Sequence, residues 1–172
     1  LSRQDTPIPR NNMNYVLALH GGAGTVAPGS DTTEHESAMH RALLAGQAVL
    51  QRGGSALDAV CATVVVLEDA PIFNAGVGAV MNADGDHELD AAVMEGAQLR
   101  AGAVAAVRMV RNPVLAARAM LKDGRHVLQV AHGAEQFAEH AGLATVPNQH
   151  FFTAHRLAQL ESVRASDASR SV

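Results

Sequence analysis

Apolar and polar positions follow a strand-like and then a helical period in the first third of the chain. The apolar run at 15–20 is short and ends in glycines, which predicts a strand followed by a sharp turn. From about 33 to 52 the apolar residues recur at helical spacing, and the glycines after this segment end the helix. Asp31 and Glu34 have the spacing of an N-terminal capping pair, so we expect this helix to begin beside them.

A second helix is predicted over 56–68, where Ser55 and Asp58 have the spacing of a capping box. Apolar residues occupy nearly every side of this helix. Other elements should therefore cover it on both faces, which indicates a layered sandwich.

The pattern changes to strands from residue 79. Asp84-Gly85 predicts a hairpin turn between short strands at 80–81 and 89–93. Further along, the chain has signals for strands at 103–107 and 126–130 and for helices at about 113–122 and 133–140. Helices that alternate with strands predict a mixed α/β sandwich.

The two ends of the chain differ from its middle in composition. Residues 1–14 are polar with two prolines and are expected to form a flexible leader, either an added segment before Met13 or the remainder of a trimmed signal peptide. Residues 161–172 carry few apolar groups, so burial cannot offset the entropy of ordering them. We expect 15–160 to be one domain and 161–172 to be a flexible linker tail.

Composition narrows the class of partner. The 172 residues are 48% hydrophobic with a net charge of −4, and the basic residues are scattered, which argues against nucleic-acid binding. The apolar run at 15–20 is too short to cross a membrane. We therefore expect protein and small-molecule partners and a cytoplasmic location, with the periplasm as the alternative. The single cysteine, Cys61, lies in an apolar helix and is predicted to be a buried thiol.

Several other site types fit the sequence poorly. A phosphate loop at 21–25 is disfavoured because 26–29 separate the glycines from the next helix and the sole lysine is Lys122. The segment 82–88 has alternating oxygen side chains, but the glycine and glutamate that a calcium loop requires are out of register, which favours a solvated hairpin. No pair of histidines has His-x3-His spacing and the single cysteine excludes Cys-x2-Cys, so zinc is not expected. No serine or cysteine has the context of an activated nucleophile.

The ordered set of glycine-rich and polar motifs carries a family resemblance over about residues 15–140. Its segments are His20–Gly24, Gly54–Val60, Pro71–Gly78, His87–Ala91, Ala101–Ala105 and Arg111–Arg118. In this order and spacing they resemble the plant-type (class 2) L-asparaginases, also called isoaspartyl aminopeptidases, of the N-terminal-nucleophile hydrolase superfamily. Members of that family are made as one precursor that cuts itself, so that a threonine becomes the first residue of a β chain and acts as nucleophile.

The resemblance implies a fold and an assembly. It implies a four-layer αββα sandwich, of which this chain forms the α-subunit half and a separate β chain supplies the rest. Two such αβ units would form an (αβ)2 assembly. The nucleophile, and the Arg and Asp that hold the substrate's α-carboxylate and amine, would lie in the β chain, so no catalytic residue is expected here.

The resemblance also implies which residues of this chain support the site. Asn74 would orient the threonine's α-amino group, and Gly21 and Gly22 would form an active-site wall. A structural sodium ion would be held by the main-chain carbonyls of Leu67, Glu68, Ala70, Phe73, Ala75 and Val77. The loop at 109–116 matches a second alkali-metal site of some members, but Ala116 stands where they have serine, so no potassium control is expected. No organic cofactor is implied.

The expected reaction is hydrolysis of L-asparagine and of β-aspartyl (isoaspartyl) dipeptides, with release of L-aspartate. A glycosylasparaginase-like or taspase-like relative is the alternative among enzymes. A non-enzymatic scaffold that keeps the fold is the alternative outside them.

Overall fold

The computed structural model describes residues 15–24 and 27–170. Within them the chain forms a mixed α/β structure with five α-helices and a three-stranded sheet. The elements are, in chain order, α1 (Thr33–Gln51), α2 (Ala56–Glu68), β1 (Leu89–Glu95), β2 (Arg100–Val107), α3 (Pro113–Asp123), β3 (Leu128–Val130), α4 (Ala131–His140), a 3-10 turn (Asn148–Phe151) and α5 (Ala154–Arg170). None of the helices in the described ranges is long and apolar enough to cross a bilayer.

The sheet has the strand order β1-β2-β3, with β1 antiparallel to β2 and β2 parallel to β3. Val93 is paired with Gly102, and this pair lies on the same buried face as Val104. Residues of the other face alternate with these and are exposed or only partly buried, with Met94 and Leu128 among the exposed ones. The sheet is therefore covered on one face only within the described chain.

Helices α3 and α4 cover the buried face. A Cβ on Gly102 would lie 2.3 Å from the backbone nitrogen of Leu121 and 2.4 Å from the carbonyl oxygen of Ala117, so only glycine allows α3 this close to β2. Helix α4 adds Ala134 and Ala138 to the core formed by β1 and β2. Small residues at these contacts let the helical layer approach the sheet closely.

Helices α1 and α2 pack against each other through a stripe of small residues. Buried positions of α1 recur every four residues, and at Gly46 an added Cβ would lie 2.2 Å from the hydroxyl oxygen of Thr63. Ser55 and Asp58 form the predicted capping box, with Ser55 Oγ accepting from Asp58 N at 3.0 Å. The predicted cover of α2 is incomplete, because Val60 is 38% exposed and lines a cavity.

Three local predictions need correction. Residues 15–20 make no ladder with any described strand, so this segment is not a strand here. Thr32, not Asp31, is the N-cap of α1, although Asp31 Oδ1 accepts from Thr33 N at 2.9 Å. The turn at Asp84-Gly85 exists, but it is flanked by one isolated bridge, and the true hairpin is β1–β2. The first and third errors concern strand pairing, which local sequence does not encode.

The expected unstructured tail is also wrong over 161–170, which complete helix α5. Two side chains attach this helix to the preceding chain: Arg156 Nε donates to the Gly78 carbonyl and Arg164 Nη2 donates to the Ala83 carbonyl. Leu160 and Val163 on the same helix line a mainly apolar cavity. Residues 171–172 and the proposed leader at 1–14 lie outside the described residues.

Candidate active site

Two glycine-rich motifs that are far apart in the sequence meet in one cavity. An added Cβ on Gly21 would lie 3.1 Å from the Phe73 ring and 2.9 Å from Met39 Sδ, so Gly21 allows this contact. Gly22 has φ +113°, and its N–H donates to His20 Nδ1 at 3.2 Å. The cavity measures about 420 Å³ and is lined by Gly21–Gly24, Thr32, His35, Met39, Ile72, Phe73, Asn74 and Arg156. The structure thus brings Gly21, Gly22 and Asn74 together.

Asn74 also lines a second cavity of about 540 Å³ that follows strand β1. Helix α2 contributes Val60 and Val64 to this cavity, and β1 contributes its residues from Leu89 to Met94. The Asn74 side chain is exposed and makes no hydrogen bond to another described residue. Its amide is therefore available to a group outside the described chain, with both a donor and an acceptor to offer.

The loop at 67–77 coils so that main-chain oxygens crowd around two glycines. A Cβ added to Gly76 would lie 2.4 Å from the carbonyl oxygen of Glu68. A Cβ added to Gly78 would lie 2.6 Å from the carbonyl oxygen of Pro71 and 2.8 Å from that of Phe73. The described residues contain no cluster of three acidic, histidine or cysteine side chains that could hold a metal. Main-chain oxygens are ligands that a hard cation such as sodium accepts.

The six carbonyls expected to hold sodium are partly engaged within the loop. Glu68 O accepts from Val77 N at 2.7 Å, and Ala70 O accepts from Phe73 N at 3.1 Å. A carbonyl has two lone pairs, so these bonds leave room for an ion. Sodium binding stays a prediction, as does the absence of potassium control. In the loop at 109–116, Met109 O accepts from Val146 N at 2.7 Å, and α3 begins at Pro113.

The Glu68 side chain joins the loop to helix α3. Its Oε1 accepts from Val114 N at 2.9 Å, which satisfies one of the free N–H groups at the start of that helix. Burial raises the pKa of Glu68 to about 7, against the lowering effect of hydrogen bonds from Val114 and Asn112. Glu68 Oε2 has no hydrogen-bond partner among the described residues. This carboxyl fixes α3 beside the loop that carries Asn74.

The C-terminal segment clamps the same loop from the other side. Gly78 N donates to Phe151 O at 2.9 Å, and Arg156 Nε donates to Gly78 O at 2.6 Å. Both peptide groups of Gly78 are thereby tied to residues around the start of α5. The position of Asn74 depends on this clamp as well as on Glu68.

Other candidate groups have structural roles. Cys61 is a buried free thiol whose pKa is raised by burial, which is opposite to what an activated nucleophile needs. In the segment 82–88, Asn82 Oδ1 accepts from the backbone N–H of Asp84 and of Asp86, both at 3.0 Å, which makes a hydrogen-bonded turn. His87 is buried against the Phe151 ring, with 6.3 Å between centroids. Thr25 of the rejected phosphate loop lies outside the described residues.

Sequence reasoning missed four residues of the first cavity: Thr32, His35, Met39 and Arg156. Three of them lie on or beside the first turns of α1, whose polar face carries no motif. His35 contacts the Phe73 ring edge-on at a centroid distance of 5.9 Å. Arg156 could not be found because it reaches the cavity only through the docking of α5.

Comparison with known proteins decides the family. A protein-family model described as asparaginase matches residues 13–172. The chain belongs to the asparaginase family. It is 48% identical over 155 residues to an isoaspartyl peptidase of Salmonella typhimurium, covering 88% of this chain and 50% of that protein. An Escherichia coli isoaspartyl peptidase is 45% identical over 90% of this chain and 49% of its own length. A Xenopus laevis isoaspartyl peptidase/L-asparaginase is 45% identical over 82% of this chain and 45% of its own.

Family membership confirms the resemblance to the asparaginases and the mixed α/β class. The chain spans about half the length of the curated relatives that it matches. The other half of those relatives has no counterpart among the residues described above.

Proposed function

We propose that this chain is the α half of an N-terminal threonine hydrolase that cleaves L-asparagine and β-aspartyl dipeptides and releases L-aspartate. The observation that carries the proposal is the cavity in which the glycines at 21–24 meet Asn74, together with relatives named isoaspartyl peptidase and L-asparaginase. The names of these relatives describe those proteins. They support the same chemistry here because Gly21, Gly22 and Asn74 line one cavity.

In the proposed mechanism the nucleophile is the first residue of the β half. The α-amino group of that threonine takes the proton from its own hydroxyl, and the oxygen attacks the side-chain carbonyl of the substrate. The amine leaves with a proton, and water then hydrolyses the acyl-enzyme to aspartate. Asn74 accepts a hydrogen bond from the α-amino group and so orients the base. The backbone N–H groups of the glycine loop line the same space.

We propose the β half of the same precursor as the partner, with (αβ)2 as the assembly. The exposed apolar face of the sheet and the edge of β1 that pairs with no described strand support this, since both need a covering element. Exposed apolar residues on that face include Met94, Leu128 and Val130, which are 72%, 53% and 53% exposed. The relatives are about twice as long as this chain, which supplies a half large enough to cover it.

Sodium in the loop at 67–77 is part of the proposal. Its role would be structural, because it would hold the loop that carries Asn74. Because main-chain oxygens would bind it, Glu68→Gln should leave sodium binding nearly intact. Gly76→Ala should abolish it, since the added Cβ would lie 2.4 Å from Glu68 O. The measurement is the melting temperature of the processed enzyme in sodium against choline chloride. A sodium-dependent rise that survives Gly76→Ala would contradict this site.

The proposal is tested with the full-length gene product. We expect it to cut itself into two chains, with threonine at the start of the second, and to hydrolyse L-asparagine and β-aspartyl dipeptides. Gel electrophoresis, N-terminal sequencing and an aspartate assay measure these outcomes. Activity only on glycosylasparagine, or only on a protein after an aspartyl residue, would favour the glycosylasparaginase-like or taspase-like alternative. Lack of a threonine and of all activity would favour a scaffold.

A cytoplasmic location also belongs to the proposal. The buried free thiol of Cys61 is compatible with a reducing compartment. Cell fractionation of the native source, with a periplasmic extract measured beside the cytoplasm, tests it. Recovery of the enzyme in the periplasmic extract would reverse this part of the proposal.

A further inference from the structure

Arg156 stands out among the arginines because it lines the candidate active-site cavity and has no carboxylate partner. Five arginines form ion pairs with aspartate or glutamate, namely Arg100, Arg108, Arg111, Arg118 and Arg125. Arg156 forms none with the described residues and is only partly exposed. A half-buried guanidinium without a counter-charge is a group that an anionic ligand can satisfy.

Two hydrogen bonds hold the Arg156 guanidinium in place and leave its Nη2 available as a donor. Its Nε donates to Gly78 O at 2.6 Å, and its Nη1 donates to Gln159 Oε1 at 2.9 Å. Nη2 makes no hydrogen bond to another described residue. The guanidinium is therefore fixed by two neutral partners, with its positive charge uncompensated at the cavity wall.

The rest of the cavity wall agrees with an anionic ligand. The described lining contains no aspartate or glutamate, and its polar groups are Thr32, His35, Asn74 and the N–H groups of the glycine loop. The Thr32 hydroxyl already donates to Glu36 Oε1 at 2.6 Å, and Gly22 N donates to His20 Nδ1 at 3.2 Å. The donors that remain are the Asn74 amide, the His35 ring and the other N–H groups of the glycine loop. A ligand with a carboxylate would meet the charged Arg156 and these neutral donors, and no acidic side chain lines the described part of the cavity.

We propose that Arg156 binds the C-terminal carboxylate of the residue that leaves when a β-aspartyl dipeptide is cleaved. This inference rests on the proposed function and deepens it. A β-aspartyl dipeptide has two carboxylates, and the resemblance places the group for the aspartyl carboxylate in the β half. The second carboxylate belongs to the leaving residue, and L-asparagine has no equivalent. Arg156 is then a specificity residue that favours dipeptides over L-asparagine.

The proposal predicts a preference in the unmodified enzyme. We expect kcat/KM for β-aspartyl-alanine to exceed that for β-aspartyl-alaninamide by about tenfold, because the amide lacks the charge that Arg156 binds. The difference should appear mainly in KM, since the leaving residue's carboxylate is bound alike in the ground and transition states. Equal kcat/KM values for acid and amide would overturn the proposal without any variant.

Substitution of Arg156 separates binding from the clamp on Gly78. Arg156→Gln removes the charge, so the loss for β-aspartyl-alanine should exceed the losses for the amide and for L-asparagine by about tenfold. Arg156→Lys keeps the charge without the Nε–H donor and should retain part of the preference for the acid. Arg164→Gln is the matched control, because Arg164 lies on the same helix, binds the Ala83 carbonyl and does not line this cavity. It should change the acid-to-amide ratio less than twofold.

The outcomes also distinguish this proposal from the proposed function. Equal losses of kcat/KM on all three substrates in Arg156→Gln would mean that Arg156 only positions the loop. Equal acid-to-amide ratios in the Gln and Lys variants would mean the same, and either result refutes the specificity role. Hydrolysis of all three substrates by the unmodified enzyme would still support the proposed function. An unmodified enzyme that cuts itself but hydrolyses none of the three would refute the function instead.

Discussion

The two faces of the sheet are built from similar residues and yet have opposite surroundings. On one face Val93, Gly102 and Val104 are buried under α3 and α4. On the other face Met94 and Leu128 are 72% and 53% exposed. Both faces are apolar, so the difference lies in what covers them and not in their composition.

The covered face shows how closely the sheet and its helical layer pack in this fold. There the helices approach so closely that Gly102 has no space for a Cβ, and the alanines of α4 are fully buried. The open face has the apolar character of an interior and the exposure of a surface, which a stable folded protein rarely combines over a large area. The open face is therefore the side on which the proposed β half should pack.

The largest expected effect comes from a charge on the open face. In the full-length protein, Leu128→Arg would bury an unpaired charge between the two halves, at a cost of about 3–5 kcal/mol. We expect self-cleavage and asparaginase activity to fall about 100-fold or more, measured by gel and by aspartate release. Leu44→Arg is the matched control, because Leu44 is the same residue type, is 47% exposed against 53% for Leu128, and lies on α1 away from the sheet. Normal processing of the Leu128 variant would show that this face stays open.

The same substitution should have the opposite effect on the isolated half. Residues 1–172 expressed alone should aggregate or form a loosely packed state, because the apolar face stays in water. Leu128→Arg should reduce that aggregation, as measured by light scattering and dye binding. A monodisperse monomer with a sharp melt in the unmodified half would contradict the comparison of the two faces.

The covered face should respond to a much smaller change. Gly102→Ala would place a Cβ within 2.4 Å of two backbone atoms of α3, so the helix or strand must shift. We expect a loss of about 3 kcal/mol or more in the free energy of unfolding of the processed enzyme, followed by urea or heat. Gly96→Ala is the control, since the space around Gly96 is open and its φ is not positive. Equal midpoints of urea or thermal unfolding for the Gly102 and Gly96 variants would mean that α3 is not packed as described.

Local signals predicted much of the fold. The capping box at Ser55 and Asp58 correctly predicts that α2 begins at Ala56, and the expected helix from about 113 agrees with the start of α3 at Pro113. What local sequence could not predict is pairing over distance. The segment 15–20 has the composition of a strand, but a strand needs a partner, and the described chain supplies none. The same reasoning explains why the true hairpin, β1–β2, was not expected.

The candidate site divides in the same way. Gly21, Gly22 and Asn74 belong to motifs that are continuous in the sequence, so the resemblance identifies them, and the structure brings them into one cavity. Arg156 lies just before the expected tail at 161–172, in a segment that carries none of the motifs of the resemblance. Its place in the cavity follows from a hydrogen bond to Gly78, which no local pattern contains. Site residues that depend on docking are the ones that sequence reasoning misses.

Asn74 lines the cavity with the glycine loop and the cavity along β1, and its removal should affect the rate of reaction more than stability. Asn74 is exposed and lines both the 420 Å³ and the 540 Å³ cavity, so Asn74→Ala should hardly change the melting temperature. In the processed enzyme, Asn74→Ala would remove the hydrogen bond that we propose orients the threonine's α-amino group. That loss should raise the barrier by about 2–3 kcal/mol, which lowers kcat roughly 30- to 150-fold.

Asn74→Asp sharpens this last test, because aspartate keeps an oxygen acceptor and loses the NH2 donor. If the carbonyl oxygen of Asn74 is the group that orients the α-amino base, the Asp variant should retain more kcat than the Ala variant, with little change in KM for either. Steady-state rates on a β-aspartyl dipeptide measure this, and slower self-cleavage of the precursor should accompany the lower kcat. A processed Asn74→Ala enzyme within twofold of the parent would remove Asn74 from the site.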